Sequence, residues 1–148
     1  MIEVEPAIRL GLEVSADHLS AITFHPTGDA CSAHPILDEA ERQLRAYFAG
    51  QLQGFDLPLK TNGTSFQENV WRLVLAIPYG RTRTYMDLAR DLASPGAVRA
   101  VGAANGANPL PIVIPCHRVV ATGGGMGGYG GGVDLKRRLL ALEGAILL

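Results

Sequence analysis

The strongest chemical feature of the sequence is a cysteine in an unusual local setting. Cys116 follows Pro115 and precedes His117 and Arg118. The proline constrains the backbone, and the two basic neighbours supply the electropositive surroundings that lower a thiol pKa and favour the thiolate. A lone cysteine is more often buried and inert. These neighbours therefore favour a nucleophile over a packing residue.

A base next to a thiol must be held in orientation, and the sequence offers one candidate. Glu143 lies near the end of the last predicted helix. A carboxylate hydrogen-bonded to one imidazole nitrogen of His117 would leave the other nitrogen free to accept the thiol proton, directly or through water. A solvated helix-end residue is the alternative interpretation of Glu143.

Helical spacing and end signals predict that the second half of the chain is mostly helical. Ser65-x-x-Glu68 predicts a capping box for a helix that ends at Pro78. Thr84 is the expected N-cap of a second helix, which continues to about Leu92.

A third helix is predicted from Gly96 to about Asn105, with Ser94 as N-cap and Pro95 at its first position. It consists almost wholly of small residues apart from Arg99. Two short helices separated by a turn are typical of a helix-turn-helix, although small-residue helices also pack inside domains.

A glycine-rich loop precedes the last helix. Gly123–Gly132 contains eight glycines, interrupted by Met126 and Tyr129. Such a loop can bring its backbone against a ligand, and a flexible linker is the alternative. The helix that follows is predicted to begin at Asp134 and to end before Gly144. Its expected apolar face consists of Leu135, Leu139 and Leu142.

The first part of the chain predicts a small α/β unit. Strands are expected at Ile8–Val14 and Leu19–Phe24, followed by a helix at Leu37–Phe48. With a boundary near Gly63, the domains are 1–63, a supporting unit, and 64–148, the chemical unit. The fold class is therefore predicted to be α+β.

Charge separates the same two parts. The net charge of the chain is -1, but residues 1–64 carry four basic and nine acidic residues, whereas residues 65–148 carry nine and five. Only the second part, at +4, could attract phosphates. Ordinary surface variation is the alternative explanation.

Composition favours a protein of the cytoplasm. No apolar run reaches the roughly 18 residues that a membrane span requires, and the acidic N-terminus is unlike a signal peptide. The two cysteines, Cys31 and Cys116, are too few for a disulfide framework.

Residues 108–120, Asn-Pro-Leu-Pro-Ile-Val-Ile-Pro-Cys-His-Arg-Val-Val, closely resemble the active-site signature of the O6-alkylguanine-DNA alkyltransferases. The resemblance covers residues 65 to 148. Its further motifs are Phe66-Gln67 through Trp71, Ile77 to Gly80, Thr84-Tyr85 through Leu88-Ala89, Arg99 to Gly102, Gly128-Tyr129 and Leu139 to Gly144.

This resemblance implies DNA repair by irreversible transfer of an alkyl group from O6 of guanine to Cys116, once per molecule. O4-alkylthymine is a second candidate substrate. His117 would be the water-mediated base, Glu143 its orienting partner, and Tyr85 a donor to N3 of the flipped base. Asn108 would stabilise the turn around the site. The pocket would further include Val119, Tyr129, Gly130 and Met126.

The resemblance also implies a DNA interface and a ribonuclease-H-like N-terminal unit. The helix-turn-helix would enter the minor groove, where Arg99 fills the gap left by the flipped nucleotide. Further contacts are expected from Thr84, Ala100, Ala103 and Asn105. The expected partner is double-stranded DNA containing O6-alkylguanine, with no cofactor, membrane or obligatory protein partner, and the protein would act as a monomer.

Departures from the family pattern affect affinity rather than chemistry. Gly106, Ala107 and Gly130 stand where relatives often carry polar or basic residues. Some relatives bind zinc in the N-terminal unit, but the spacing of His25, Cys31 and His34 fits no standard zinc pattern, so no metal is expected.

Three other functions compete with alkyl transfer. Alkyltransferase-like sensors carry Trp at the nucleophile position, which Cys116 argues against. Relatives that regulate transcription carry an additional DNA-binding domain. A cysteine hydrolase would need an oxyanion hole, for which the sequence shows no signature.

Overall fold

The computed structural model describes residues 1–5, 8–26 and 33–147. Its contacts divide the chain into two compact units, Met1–Thr61 and Asn62–Leu148. Helices combine with two small sheets, which confirms the α+β class. Within the described residues, no helix is both long and apolar enough to cross a bilayer.

The N-terminal unit is an antiparallel sheet covered by one helix. Its elements are β1 (Ile2–Glu5), β2 (Ile8–Ser15), β3 (His18–Thr23) and α1 (Pro35–Phe48), with strand order β1-β2-β3. Helix α1 packs on all three strands. The core consists of Ile2, Ile8, Leu10, Leu19, Ile22, Ala40, Leu44, Tyr47 and Phe48.

The two predicted strands and the predicted helix are confirmed, whereas β1 was not predicted. Helix α1 begins before Leu37 because His34 caps it: Nδ1 of His34 accepts from the Ile36 amide at 3.1 Å. Histidine is an uncommon cap, so the sequence pattern did not reveal this start.

The C-terminal unit is mostly helical. Its elements are α2 (Ser65–Leu75), β4 (Arg83–Thr84), α3 (Tyr85–Asp91), α4 (Val98–Gly106), β5 (Val119–Val120) and α5 (Val133–Leu142). Helices α2 and α3 both pack against α4. The indole of Trp71 on α2 donates to the Ala104 carbonyl on α4 at 2.8 Å. This bond holds the buried side of α4 against α2.

The capping box of α2 lies one residue earlier than predicted. The hydroxyl of Thr64 accepts from the Gln67 amide at 3.1 Å, and the Gln67 side chain accepts from the Thr64 amide at 3.0 Å. Glu68, the expected partner of Ser65, instead accepts from the Gly63 amide. The predicted Ser65 cap is therefore wrong.

Replacing Thr64 by alanine should lower the free energy of unfolding by about 1 kcal/mol, because an amide at the start of α2 loses its acceptor. Ser65→Ala is the matched control, since Ser65 is exposed and lies inside the helix. Urea denaturation of both variants checks this. An equal or larger loss in Ser65→Ala would contradict the observed cap.

The start of the third predicted helix also differs from expectation. Pro95–Ala97 forms a short 3-10 helix, and α4 proper begins at Val98. The hydroxyl of Ser94 donates back to the Leu92 carbonyl at 3.3 Å and makes no capping bond. Ser94 therefore ends the preceding turn rather than capping α4. The Thr84 cap of α3 is confirmed and pairs with Asp87.

Candidate active site

Cys116 lies at the start of a tight turn, Cys116–Arg118, which is called the catalytic turn below. Pro115 has φ −80° and ψ 65°, and the Cys116 amide donates to the Ile114 carbonyl at 2.7 Å. This is an inverse γ-turn. Asn108 donates to the same Ile114 carbonyl at 2.7 Å. The kink predicted from Pro115 thus presents a cysteine that is 6% exposed.

The backbone leading to the catalytic turn is strained at one position. Ile112 is buried and has φ +75°, a region that a β-branched residue rarely adopts. Such a conformation costs roughly 1–3 kcal/mol and persists only where the surroundings impose it. The turn that imposes this conformation on Ile112 is closed by the Ile114 amide, which donates to the Leu110 carbonyl at 2.8 Å.

The histidine is held by a buried carboxylate. Nε2 of His117 lies 2.7 Å from Oε2 of Glu143, and both side chains are fully buried. Because a carboxylate only accepts, Nε2 carries the proton. Nδ1 of His117 is buried and has no partner within the described part of the chain. It therefore presents a free lone pair.

Arg118 fixes the carboxylate from the other side. Its Nε donates to Oε1 of Glu143 at 2.8 Å and its Nη2 donates to Oε2 at 3.0 Å. Nη1 donates to the Ile77 carbonyl at 2.7 Å. This two-pronged pair holds the planar carboxylate in one orientation. From the sequence, Arg118 was interpreted only as a nearby positive charge.

The end of α5 places Glu143. The Ala145 amide donates to the Leu140 carbonyl at 2.9 Å, and the Gly144 amide donates to the Ala141 carbonyl at 3.0 Å. With Gly144 at φ +75°, these bonds form a Schellman motif. The motif ends the helix at Glu143, close to His117. Gly144 therefore marks the helix end, as predicted.

Burial controls the protonation of the site. It lowers the pKa of His117, against the opposing effect of the Glu143 pair, so the imidazole is neutral. Burial raises the pKa of the Cys116 thiol, while hydrogen bonding from Asn108 and the charge of Lys136 lower it. The resting site therefore combines a thiol with a neutral base. The lowered thiol pKa expected from the sequence is wrong, because burial outweighs the neighbouring charges.

Tyr85 is tied to the catalytic turn through a short parallel pairing of strands. Strand β4 immediately precedes Tyr85, strand β5 immediately follows the catalytic turn, and Arg83 pairs with Val119. Burial raises the pKa of the Tyr85 hydroxyl, and the Cys116 thiolate adds to this effect. The phenol therefore remains a hydrogen-bond donor.

The glycine-rich loop approaches Tyr85 closely. Gly127 has φ +73°, and a Cβ placed there would lie 2.6 Å from the Tyr85 hydroxyl. The half-buried ring of Tyr129 lies edge-on to His117, with 6.4 Å between ring centroids. Val119 is buried, Met126 is half-buried, and Gly130 is exposed.

Lys136 is a residue of the site that sequence reasoning missed. It is fully buried, and its ammonium donates to the carbonyls of Val119, Met126 and Gly128. The buried face of α5 is Lys136, Leu139 and Leu140; Leu135 and Leu142, expected on that face, are only half-buried. The sequence signal for this buried position was the spacing of Lys136 from Leu139 and Leu140, because residues three and four apart share one helix face.

The expected DNA-contacting residues differ in exposure, and Thr84 is half-buried. Arg99, Ala100 and Ala103 are exposed on one side of α4. Asn105 is 4% exposed, and its Nδ2 donates to the Cys116 carbonyl at 3.3 Å. A buried side chain offers no surface to a groove, so the expected direct contact from Asn105 does not match its position.

Among residues 1–5, 8–26 and 33–147, no group of three His, Cys, Asp or Glu side chains could hold a metal ion. Cys31, part of the His25, Cys31 and His34 set considered for zinc, lies outside these residues. His34 instead caps α1 and lies 3.3 Å from Asp17.

A buried thiol, a neutral imidazole and an ion-paired carboxylate are the groups that an enzyme with a cysteine nucleophile would require. The family model described as 6-O-methylguanine DNA methyltransferase, DNA binding domain, matches residues 65–145. A methylated-DNA–protein-cysteine methyltransferase of Mycobacterium tuberculosis is 55% identical over 122 residues, which are 82% of this chain and 74% of that protein.

Solved structures give the same result. The M. tuberculosis OGT in complex with DNA superposes with a TM-score of 0.85 at 42% identity, covering 95% of this chain and 89% of that one. An O6-methylguanine DNA methyltransferase of Methanococcus jannaschii superposes with a TM-score of 0.70 at 31% identity, covering 99% and 94%. The chain belongs to the methylated-DNA–protein-cysteine methyltransferase family.

Proposed function

We propose that this chain repairs alkylated double-stranded DNA by transferring the alkyl group from O6 of guanine to Cys116, irreversibly and once per molecule. The observation that carries the proposal is the buried thiol beside a histidine whose Nε2 is fixed by Glu143 and whose Nδ1 has no partner among the described residues. O4-alkylthymine is the second candidate substrate.

The reaction is a displacement at the alkyl carbon. Nδ1 of His117 takes the thiol proton through a water, and the resulting imidazolium is stabilised by Glu143. The thiolate attacks the alkyl carbon, so that a carbon–sulfur bond forms while the carbon–O6 bond breaks and its electron pair passes to guanine. A thioether has no easy hydrolytic exit, which makes the transfer terminal for that molecule.

Three groups are proposed to recognise the departing guanine. The Tyr85 phenol donates to N3 and offsets the negative charge that develops on the base. The Val119 carbonyl, which already accepts from Lys136, has a second lone pair for the exocyclic amine. The Cys116 carbonyl accepts from the Val119 amide and from Asn105, so the long Asn105 bond must yield if guanine also binds there.

We infer that α3 and α4 act as a helix-turn-helix. The exposed face of α4, formed by Arg99, Ala100 and Ala103, is smooth enough to enter a minor groove, with Arg99 filling the gap left by the flipped nucleotide. The hydroxyl of Thr84 accepts from the Asp87 amide and donates to the Asp87 carboxylate, so Thr84 would have to give up the second bond to contact a phosphate. Asn105 contributes from inside the domain, through the Cys116 carbonyl.

All of the proposed reacting groups come from residues 64–148. We therefore propose a monomer that needs no cofactor or second protein. The role proposed for residues 1–63 is support of the catalytic unit. The ribonuclease-H-like fold of residues 1–63 stays a prediction.

Stoichiometry tests the suicide character. With a tenfold excess of duplex carrying one O6-alkylguanine, we expect repair to stop after one lesion per protein molecule, and a second addition of DNA should yield nothing further. Continued repair with multiple turnovers would favour a hydrolase and overturn the proposal. The same amount of fresh protein should restart the reaction.

Arg99→Ala should slow transfer from duplex DNA and leave transfer from a free O6-alkylguanine base unchanged. Without the side chain that fills the gap in the base stack, the activation barrier for transfer should rise by roughly 2 kcal/mol, which lowers the rate about 30-fold. Arg137→Ala, which removes an exposed charge from α5, is the matched control. Equal effects on the duplex and the free base would contradict this role.

A further inference from the structure

A single buried ammonium joins two segments of the active site. Lys136 on α5 is 0% exposed, and its Nζ donates to the Val119 carbonyl at 2.7 Å, to Gly128 at 3.3 Å and to the Met126 carbonyl. Val119 directly follows the catalytic turn, whereas Met126 and Gly128 belong to the glycine-rich loop. An ammonium has three N–H donors, so each of them is used.

The position of the loop matters because it forms the surroundings of Tyr85. Gly127 lies between the two clamped carbonyls, and a Cβ at this position would meet the Tyr85 hydroxyl. Nζ of Lys136 lies 5.9 Å from the centroid of the Tyr85 ring. The cation therefore holds the loop, the phenol and the segment after Cys116 together.

In the part of the chain that the structure describes, three titratable groups face this ammonium. Cys116 and His117 lie on the catalytic turn, and Tyr85 lies on α3. The Lys136 charge lowers the pKa of Cys116, and it also lowers that of His117. It therefore favours the thiolate and disfavours a charged imidazole in the resting state.

We propose that Lys136 is a positioning residue for alkyl transfer, whose ammonium clamps the Met126–Gly128 loop to the Val119 carbonyl so that the guanine pocket keeps its shape. This proposal rests on the proposed alkyl transfer. The ammonium acts through backbone carbonyls and through its charge on Cys116.

The clamp depends on the proton of Lys136. Burial lowers its pKa to about 8, although the Cys116 thiolate opposes this. Above that pH the amine has two donors for three carbonyls, and the loop loosens. In the unfolded chain Lys136 keeps its proton to higher pH, so the folded state releases this proton first as the pH rises. Between the two pKa values of Lys136, its titration therefore raises the free energy of unfolding. Burial of Cys116 raises the pKa of its thiol and acts in the opposite direction, so a rate lost there is assigned to the loop when urea denaturation at the same pH shows folded protein.

The test compares Lys136→Met and Lys136→Arg with Arg137→Met, an exposed control on the same helix. Single-turnover transfer is measured at saturating damaged duplex between about pH 6.5 and 9.5. We expect Lys136→Met to be slower by about tenfold to hundredfold at neutral pH and to lack the alkaline fall in rate that the wild type and Arg137→Met show. Lys136→Arg should recover part of the rate and shift that fall upward.

Two further measurements separate the clamp from the function. Hydrogen exchange, expressed as protection factors, should show loss of protection in residues 121–132 in Lys136→Met, and in the wild type above about pH 8. Iodoacetamide alkylation should show a raised pKa of Cys116 in Lys136→Met. Folded Lys136→Met with the wild-type rate, pH profile and loop protection would overturn the proposal. If the wild type transfers no alkyl group, the proposed function fails, but the loop protection factors still show whether Lys136 clamps the loop. If Lys136→Met does not fold, the pH dependence of loop protection in the wild type tests the clamp instead.

Discussion

Glu143→Gln is expected to lower the rate of alkyl transfer by about 10²- to 10⁴-fold, the range that positioned acid–base groups supply. The glutamine can still accept a hydrogen bond, but it cannot stabilise the imidazolium that forms when His117 takes the thiol proton. Its neutral amide also presents donors where Arg118 and His117 both donate. The imidazole therefore loses its counter-charge, and one of the donors that faced the carboxylate loses its acceptor.

The same substitution should reduce stability, because Arg118 is buried and loses its ionic partner. Removing one member of a buried ion pair costs about 3–5 kcal/mol. Asp134→Asn, which removes an exposed carboxylate from the same helix, is the control. Single-turnover kinetics below the melting temperature and urea denaturation check the two effects. A folded Glu143→Gln variant with a wild-type transfer rate would show that His117 needs no carboxylate.

Tyr85→Phe should lower the transfer rate by about 10²- to 10³-fold, comparable to the loss of one preorganised donor at a developing anion. The phenylalanine ring keeps the packing against the loop, so affinity for damaged DNA should change little. The effect should lie in the maximal rate at saturating DNA, because guanine carries its charge only as the alkyl group departs.

Tyr47→Phe is the matched control for Tyr85→Phe. Tyr47 is fully buried in the N-terminal unit and far in sequence from the pocket residues, so its substitution should leave the transfer rate near that of the wild type. Quench-flow measurement of alkylated protein gives the rates, and fluorescence anisotropy gives the affinity. A loss for Tyr85→Phe that appears only in affinity would assign Tyr85 to binding rather than to the leaving group.

The helices could be predicted because their end signals are local. Thr84 capped α3 and Gly144 ended α5 as their residue types indicate. The error at α2 has a simple cause: Thr64-x-x-Gln67 and Ser65-x-x-Glu68 overlap, and both satisfy the capping pattern. Only the structure distinguishes them, because Glu68 is used by the Gly63 amide.

The sequence indicated which residues lie around Cys116 better than it indicated their contacts. Cys116 and His117 are adjacent and so share one turn, and Glu143, inferred from the chemistry that a base requires, does contact His117. The role of Arg118 depends on a contact across 25 residues. The partners of Lys136 are backbone carbonyls, and the residue types at those positions do not indicate such a contact. The resemblance implied a DNA contact from Asn105, but Asn105 lies on the buried side of α4.

Intact-protein mass after reaction with one equivalent of duplex bearing a single O6-methylguanine tests the central claim most directly. Wild type, Cys116→Ser and wild type with undamaged duplex are compared. The account predicts a gain of one methyl group in the wild type with damaged DNA alone, mapped to Cys116 by peptide analysis. No gain despite lesion-specific binding, or a methyl group on another residue, would contradict it.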